Sequence, residues 1–257
     1  MNELTFRLRI EYGKTGRLCY LSHLELVRAM ERVIRRSQLP FALSKGFNVH
    51  MRHAFGPALP VGTAGLHELL DIWLSEYVPA AEALARLRQA SVFDLPIHKV
   101  AYCAADTPSL QVSHVLSCYE ACVDLAGKGD ISVLKQAFIE IIERDNLTIM
   151  KKGKPKEISI SRSLVDGPTL VGVEDTKVRV FLTLRAHEDG SLRPELILKA
   201  ALAHIANARL VELTRVSLLE ESKESQIYPY DCLATDSSDN TCSQPANLLI
   251  GPGSSPG

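Results

Sequence analysis

Residues 5–36 read TFRLRIEYGKTGRLCYLSHLELVRAMERVIRR, and a change of period inside them decides the fold. From Thr5 to Tyr12 the chain alternates. Phe6, Leu8 and Ile10 fall on one side and Arg7, Arg9 and Glu11 on the other, which predicts a strand buried on one face. Beyond the Gly-Lys-Thr-Gly turn the period becomes helical. Ser22 followed three residues later by Glu25 is a capping box, which puts His23 at the first helical position. Leu26, Met30 and Val33, flanked by Val27 and Ile34, make an apolar arc that must pack on a core. Arg28, Arg32 and Arg35 share the opposite side with Arg36 beside them, and Glu31 is spaced to pair with Arg35. Pro40 ends the helix shortly after Ser37.

Outward from this pair, the same grammar continues. A short strand near Phe41–Leu43, a strand near Leu69–Leu74, a helix from Pro79 to Gln89 and a strand around Ile97–Tyr102 complete a β-α-β-β-α-β order. A second set follows. It has a strand over Val115–Leu125, then a helix N-capped by Asp130 that turns Leu134, Phe138 and Ile141 inward. A short strand at Leu147–Met150, a longer one at Val178–Arg185, a helix opening at Pro194 and a strand at Leu210–Leu219 complete it. The expected fold is therefore α+β: two tandem ferredoxin-like (βαββαβ) units with antiparallel sheets. Helices would cover one face of each sheet and leave the other free for a ligand or the partner unit. The units would span residues 1–104 and 113–221, joined near Ala104–Ser113. Residues 222–257, rich in Ser, Pro, Gly, Asp and Asn and without periodicity, read as a disordered acidic tail.

The 257 residues suit one large or two small domains, and a 46% hydrophobic content is ordinary for a globular chain. The net charge of −1 conceals an asymmetry. Residues 1–56 hold ten Lys and Arg against four acids, a net of +6, whereas residues 220–257 hold six acids against one Lys, a net of −5. A basic head of this kind faces a polyanion. No apolar run approaches the roughly 20 residues that span a bilayer. The amino terminus alternates instead of forming a signal-peptide core. The chain is expected to be cytoplasmic, with no membrane partner.

Six cysteines at irregular spacing read as free thiols. Cys118 and Cys122 share one face of a strand, with no third cysteine at short range to complete an iron–sulfur motif. No zinc box, phosphate-binding loop, dinucleotide fingerprint or nucleophile elbow occurs, so neither metal nor cofactor is expected.

The residues that carry chemistry gather between Arg17 and Arg52. Arg17, Arg28, Arg32, Arg35, Arg36, Lys45 and Arg52 supply cations, and Gly46, Phe47 and Asn48 form a turn among them. Together they make a candidate nucleic-acid or other anion-binding surface. Phe47 and Tyr20 are placed to stack on bases, or Phe47 anchors its loop to the core. Lys151, Lys152, Lys154 and Lys156, within KKGKPK, form a second basic patch read as an exposed turn. Three histidines are candidates for proton transfer. His23 lies at a helix N-terminus that favours neutral imidazole, and His50 and His53 flank Arg52. Imidazole beside guanidinium is the pairing that metal-independent phosphodiester cleavage requires. Capping and loop support are the competing roles.

The stretches Y12-G-K-T-G-R-L-C-Y-L-S-H-L-E-L-V-R-A-M-E-R, L39-P-F-A-L-S-K-G-F-N-V-H and A58-L-P-V-G resemble the radical-SAM-linked domain of unknown function, a prokaryotic family. Its members stand alone or are fused behind radical SAM proteins of the cobalamin-binding type. The resemblance runs on through Lys151–Leu164 and G190-S-L-R-P-E, over roughly residues 3–220. Val49 replaces the usual proline of the G-F-N-P-H turn, and Glu25 replaces the usual Asp after S-H-L. The resemblance implies a radical SAM protein as partner and a link to RNA metabolism, without an established activity. Lacking the cysteine triad, the chain is not itself a radical SAM enzyme. The leading expectation is an RNA-binding or substrate-presenting accessory. A metal-independent endoribonuclease using His23, His50 or His53 and a protein-only adaptor are the alternatives.

Overall fold

The computed structural model describes residues 4–220 except 46, 128–129, 152, 175 and 187–191, with backbone alone at 150, 151, 154, 173 and 174. Gly46, Lys152, part of the G190-S-L-R-P-E stretch and the 222–257 tail therefore lie outside the described residues, as do the side chains of Lys151 and Lys154. The fold is mixed α+β, with a mostly antiparallel sheet and five α-helices among the described residues.

In the first half, β1 (Phe6–Lys14) leads through a 3-10 turn, η1 (Gly16–Tyr20), to α1 (His23–Arg36). There follow β2 (His53–Phe55), β3 (Ala64–Leu74), α2 (Ala80–Ala90) and β4 (Ile97–Tyr102). The alternation of β1 fulfils its purpose. Leu8 and Ile10 join Leu70, Ile72 and Leu74 of β3 in a core closed by Leu26, Met30, Val33 and Ile34 of α1 and by Ala83 and Leu87 of α2. Burying each large aliphatic side chain contributes roughly 1.5–3 kcal/mol, which is what holds both helices to the sheet. The capping box of α1 forms as the spacing predicts, with Ser22 Oγ accepting from Glu25 N and Glu25 accepting from Ser22 N.

The second half contains β5 (Leu116–Asp124), α4 (Asp130–Glu143), β6 (Asn146–Lys151), β7 (Lys154–Ser159) and β8 (Leu164–Glu174). β9 (Lys177–Arg185), α5 (Pro194–Leu202) and β10 (Arg209–Leu219) complete it. A four-residue helix, α3 (Leu110–Ser113), lies in the connection between the halves. The main sheet runs β4-β1-β3-β10-β5-β9-β8, with β2 also paired to β3. Every pairing is antiparallel except β3–β10, a parallel seam registered at Thr214–Ala64 and Arg215–Gly65.

Several expectations need correction. Phe41–Leu43 is not a strand: Phe41 bridges Leu74, Leu43 bridges Met51, and the strand on the edge of β3 is β2. Ala42 N donates to Trp73 O while Ala42 O accepts from Arg52 N, so this stretch divides its backbone bonds between two partners. Leu147–Met150 is extended, but within a separate two-stranded sheet made by β6 and β7. The KKGKPK stretch read as a turn is the tip and second arm of that hairpin, reversed at Gly153 with φ +76°. The sheet strand at that point of the order is β8, where Gly167, Pro168 and three register shifts erase the alternation a sequence reader looks for.

The sheet face opposite the helices is not free in the first half. Arg7 and Arg9 both bind the fully buried Asp71 carboxylate, with Arg9 Nε at 2.8 Å from Oδ1 and Arg7 Nε at 2.9 Å from Oδ2. Arg7 also donates to the carbonyls of Thr107 and Pro108, which draws the connection between the halves across this face.

Candidate functional site

The Gly-Lys-Thr-Gly turn is the organiser of the basic region. Gly13 N donates to Pro96 O at 2.8 Å and Thr15 N to Asp94 O at 3.0 Å, tying the turn to the loop that follows α2. Gly16 adopts φ +51° with the Asp94 carboxylate where a Cβ would stand, so glycine is required twice over. Lys14 is 1% exposed and donates from Nζ to Cys19 O and Leu21 O, both at 3.0 Å. Burial holds its pKa below the ordinary lysine value. Its amine thus closes the end of η1 and orients the start of α1.

These ties leave a cleft of about 460 Å³ between α1, η1 and the loop at 92–95. Leu18, Leu21, Ala29, Val33, Val92 and Leu95 line it, and Arg28, Arg32 and Arg36 stand along its rim. Among the described residues no hydrogen bond or ion pair engages these three guanidinium groups, which are exposed. Among the described residues the one carboxylate lining the cleft is that of Glu25, which Ser22 engages through N at 2.8 Å and Oγ at 2.7 Å and which Arg28 attracts more weakly. Those hydrogen bonds, from the Ser22 hydroxyl first, hold its pKa below the usual carboxylate range. A second cleft of about 810 Å³ continues from the first, sharing Arg36 and Val92 and adding Gln38, Arg86 and Gln89. Arg86 is paired with Glu82.

The predicted site residues therefore separate into groups. Arg28, Arg32 and Arg36 come together, whereas Arg35 turns away, with its guanidinium 5.3 Å from the centre of the Phe41 ring. Glu31 faces His53, with Nε2 to Oε1 at 3.4 Å, instead of pairing with Arg35. Arg52 lies 4.4 Å from the centre of the Trp73 ring. Arg17, Lys45 and Asn48 are exposed. Phe47 is fully exposed at the tip of its loop, which removes the reading of it as a core anchor. His50 holds that loop, its Nδ1 lying 3.0 Å from both Ser44 Oγ and Asn48 O. His23 and His53 flank the Phe55 ring edge-on, each at 5.4 Å between centroids.

Sequence reasoning missed the partners of the two clefts, Val92, Leu95 and Arg86, because they lie fifty or more residues beyond α1. It also missed a buried polar cluster beside the β3–β10 seam. Arg215, 1% exposed, donates to Glu68 through Nε at 2.8 Å and Nη2 at 2.5 Å, and to Pro57 O. Burial opposes the guanidinium charge, but the Glu68 carboxylate outweighs it and raises the Arg215 pKa. A histidine pair also stands on the opposite sheet face. His67 Nδ1 lies 2.7 Å from Glu11, and its ring centroid is 5.5 Å from that of His98. Among the described residues no group of three His, Cys, Asp or Glu is arranged to hold a metal. None of their helices is long and apolar enough to cross a membrane.

No curated protein matches the chain. Among solved structures it is similar to an H/ACA RNP bound to a substrate RNA containing 2′-deoxyuridine, at 14% identity and a TM-score of 0.42. That match covers 84% of this chain and 49% of the other. A Cbf5–Nop10–Gar1 complex gives 14% identity and a TM-score of 0.42, over 84% of this chain and 50% of that one. An unknown protein from Galdieria sulphuraria gives 10% identity and a TM-score of 0.26, over 85% and 100%. The chain spans about half the length of the first two. A family model described as an uncharacterized protein conserved in bacteria (DUF2344) matches residues 7–194, from the start of β1 to the start of α5, and the chain belongs to that family.

Proposed function

We propose that this protein is a cytoplasmic RNA-binding module, built from two tandem ferredoxin-like units, that presents RNA to a partner enzyme. The observation that carries the reading is the cleft beside α1, where Arg28, Arg32 and Arg36 are held together without a free carboxylate. Three exposed cations on a fixed helix, of which Arg28 also attracts the Glu25 carboxylate, cost little reorganisation when phosphates replace their counterions. The strand pairings support the two-unit description, since β4-β1-β3-β2 and β10-β5-β9-β8 repeat one order, with β6–β7 inserted in the second. The partner of choice is a radical SAM protein, by the resemblance of the 12–32 motif. Its test is whether such a protein co-purifies with the full chain from a native host.

The histidines take supporting roles in this reading. His50 is spent on its loop and His53 on Glu31, which favours binding over cleavage. Fluorescence anisotropy against a labelled RNA, repeated across salt concentrations, tests the proposal. The expected result is micromolar or tighter binding with a steep salt dependence that weakens in an Arg28/Arg32/Arg36→Ala triple variant. Equal affinity and equal slope in wild type and triple variant sink it.

A further inference from the structure

An anion site made only for phosphate has no use for a greasy floor. The cleft beside α1 has one. Ala29 comes from α1, Leu18 from η1, Leu21 from the position that follows η1 and Val92 from the far loop, over the buried Val33 and Leu95. Its volume of about 460 Å³ falls in the range of small-molecule pockets, roughly 300–1,000 Å³. The apolar walls and the cationic rim belong to the same cavity, so the matching ligand is amphiphilic: a flat apolar group carrying phosphates beside it.

We infer that this cleft receives an unpaired nucleobase, with the sugar–phosphate chain running past Arg36 into the adjoining polar cleft. The inference rests on the RNA-binding reading and deepens it: the bound RNA is single-stranded where it meets α1. In a duplex the bases are stacked inside, and only phosphates and groove edges reach the protein, so the apolar floor would stay empty. A splayed base fills it, and the planar guanidinium groups of Arg28 and Arg32 offer stacking surfaces as well as charge. The adjoining cleft has the complementary character. Gln38 and Gln89 offer amide hydrogen bonds, and Arg36 stands at the junction of the two cavities, where a phosphate linking one nucleotide to the next would pass.

The walls are set before any ligand arrives. Lys14 fixes the η1 side through two carbonyls, and the Gly13, Thr15 and Gly16 contacts fix the loop side to the same turn. Preformed walls of this kind reduce the ordering cost of binding. The most distinctive motif of the sequence, Y12-G-K-T-G-R-L-C-Y-L-S, accordingly frames the pocket through Gly13, Lys14, Thr15 and Gly16 and lines it through Leu18 and Leu21.

The test uses the full chain and anisotropy with three probes: a short single-stranded RNA, an abasic phosphodiester strand of the same backbone charge, and a duplex of the first strand with its complement, which carries twice the phosphates. The wild type should bind the single strand about tenfold more tightly than either of the other two, the scale of one stacked base. Ala29→Leu, which narrows the floor, adds no aromatic ring and keeps every arginine, should bring the affinity for the single-stranded RNA down to that for the abasic strand. Equal wild-type affinity for all three probes, with the salt slope intact, overturns the base pocket and leaves the RNA-binding reading standing. Salt-insensitive or absent binding to every probe overturns both. The abasic comparison needs no substitution, so it decides the matter even if Ala29→Leu does not fold.

Discussion

The two halves of the molecule share a strand order, β4-β1-β3-β2 and β10-β5-β9-β8, apart from the β6–β7 hairpin, yet carry different side chains at corresponding positions of α1 and α4. In α1 the cleft is lined at positions 29, 32, 33 and 36, and in α4 a smaller cavity of about 260 Å³ is lined at 133, 136, 137 and 140. The spacing is identical. Where α1 has Arg32 and Arg36, α4 has Gln136 and Glu140, with Ser132 and His204 nearby. One helix presents two guanidinium groups to its cleft, and the other presents an amide and a carboxylate at the same spacing. The difference also shows how poorly a charge count locates a site. Arg7 and Arg9 contribute as much to the basic head as Arg28 and Arg32 do, but both are held on the Asp71 carboxylate, which offsets one of their two charges. A cation locked into a buried ion pair is a poorer ligand contact than an exposed one.

The comparison breaks most forcefully at the seam that joins the halves. Glu68→Ala leaves Arg215 charged and buried without its partner, and the expected cost is about 3–5 kcal/mol in urea denaturation. A loss below about 1 kcal/mol would show that water or another acceptor replaces the carboxylate. Next in size is the contrast between the helices themselves. The Arg28/Arg32/Arg36→Ala triple should lower the salt slope for single-stranded RNA by about two, whereas Lys135→Ala with Lys199→Ala, on the exposed sides of α4 and α5, should not change it. Equal changes in both variants would abolish the distinction between the halves.

Two smaller effects sharpen the picture. Ser22→Ala removes the α1 cap at about 1 kcal/mol in thermal or urea unfolding. It also frees Glu25 at the mouth of the cleft, so RNA affinity should fall in that variant although no cation is lost. An unchanged affinity would place the ligand elsewhere. In the second half, Asp145 accepts from the Ser161 N–H and hydroxyl, at 2.6 and 2.9 Å, and these bonds hold its pKa below the ordinary value of 3.8. A depressed carboxylate contributes stability that is complete above 3.8 and fades as pH falls through its folded value. Asp145→Asn should therefore flatten that part of the acid limb and leave RNA binding at neutral pH unaltered. An acid limb identical to wild type would contradict it.

The parts legible in the sequence are those whose causes are local. Ser22 and Glu25 specify the start of α1 within four residues, and the helical spacing of Leu26, Met30 and Val33 specifies its buried side. β1, α2, β4, β9, α5 and β10 were readable for the same reason. The hairpin of β6 and β7 was not, because Lys154–Ser159 carries charge where a sheet strand would carry apolar alternation, and its partner is simply its neighbour. The cleft was half legible. Its cations sit together on one helix, but its floor requires a loop some sixty residues away, and nothing in the local pattern announces that Arg35 will turn to Phe41. The Arg215–Glu68 pair, 147 residues apart, was beyond reach of any spacing argument.

That separation has a consequence for how the chain is made. A ribosome delivers Glu68 long before Arg215, and at about 5–20 residues per second the gap is on the order of ten seconds. During that interval the nascent first half can assemble its own core while one carboxylate in its interior waits for a counterion still to be translated. A nascent chain arrested before residue 215 should therefore be less protected from proteolysis in its first half than the finished chain is.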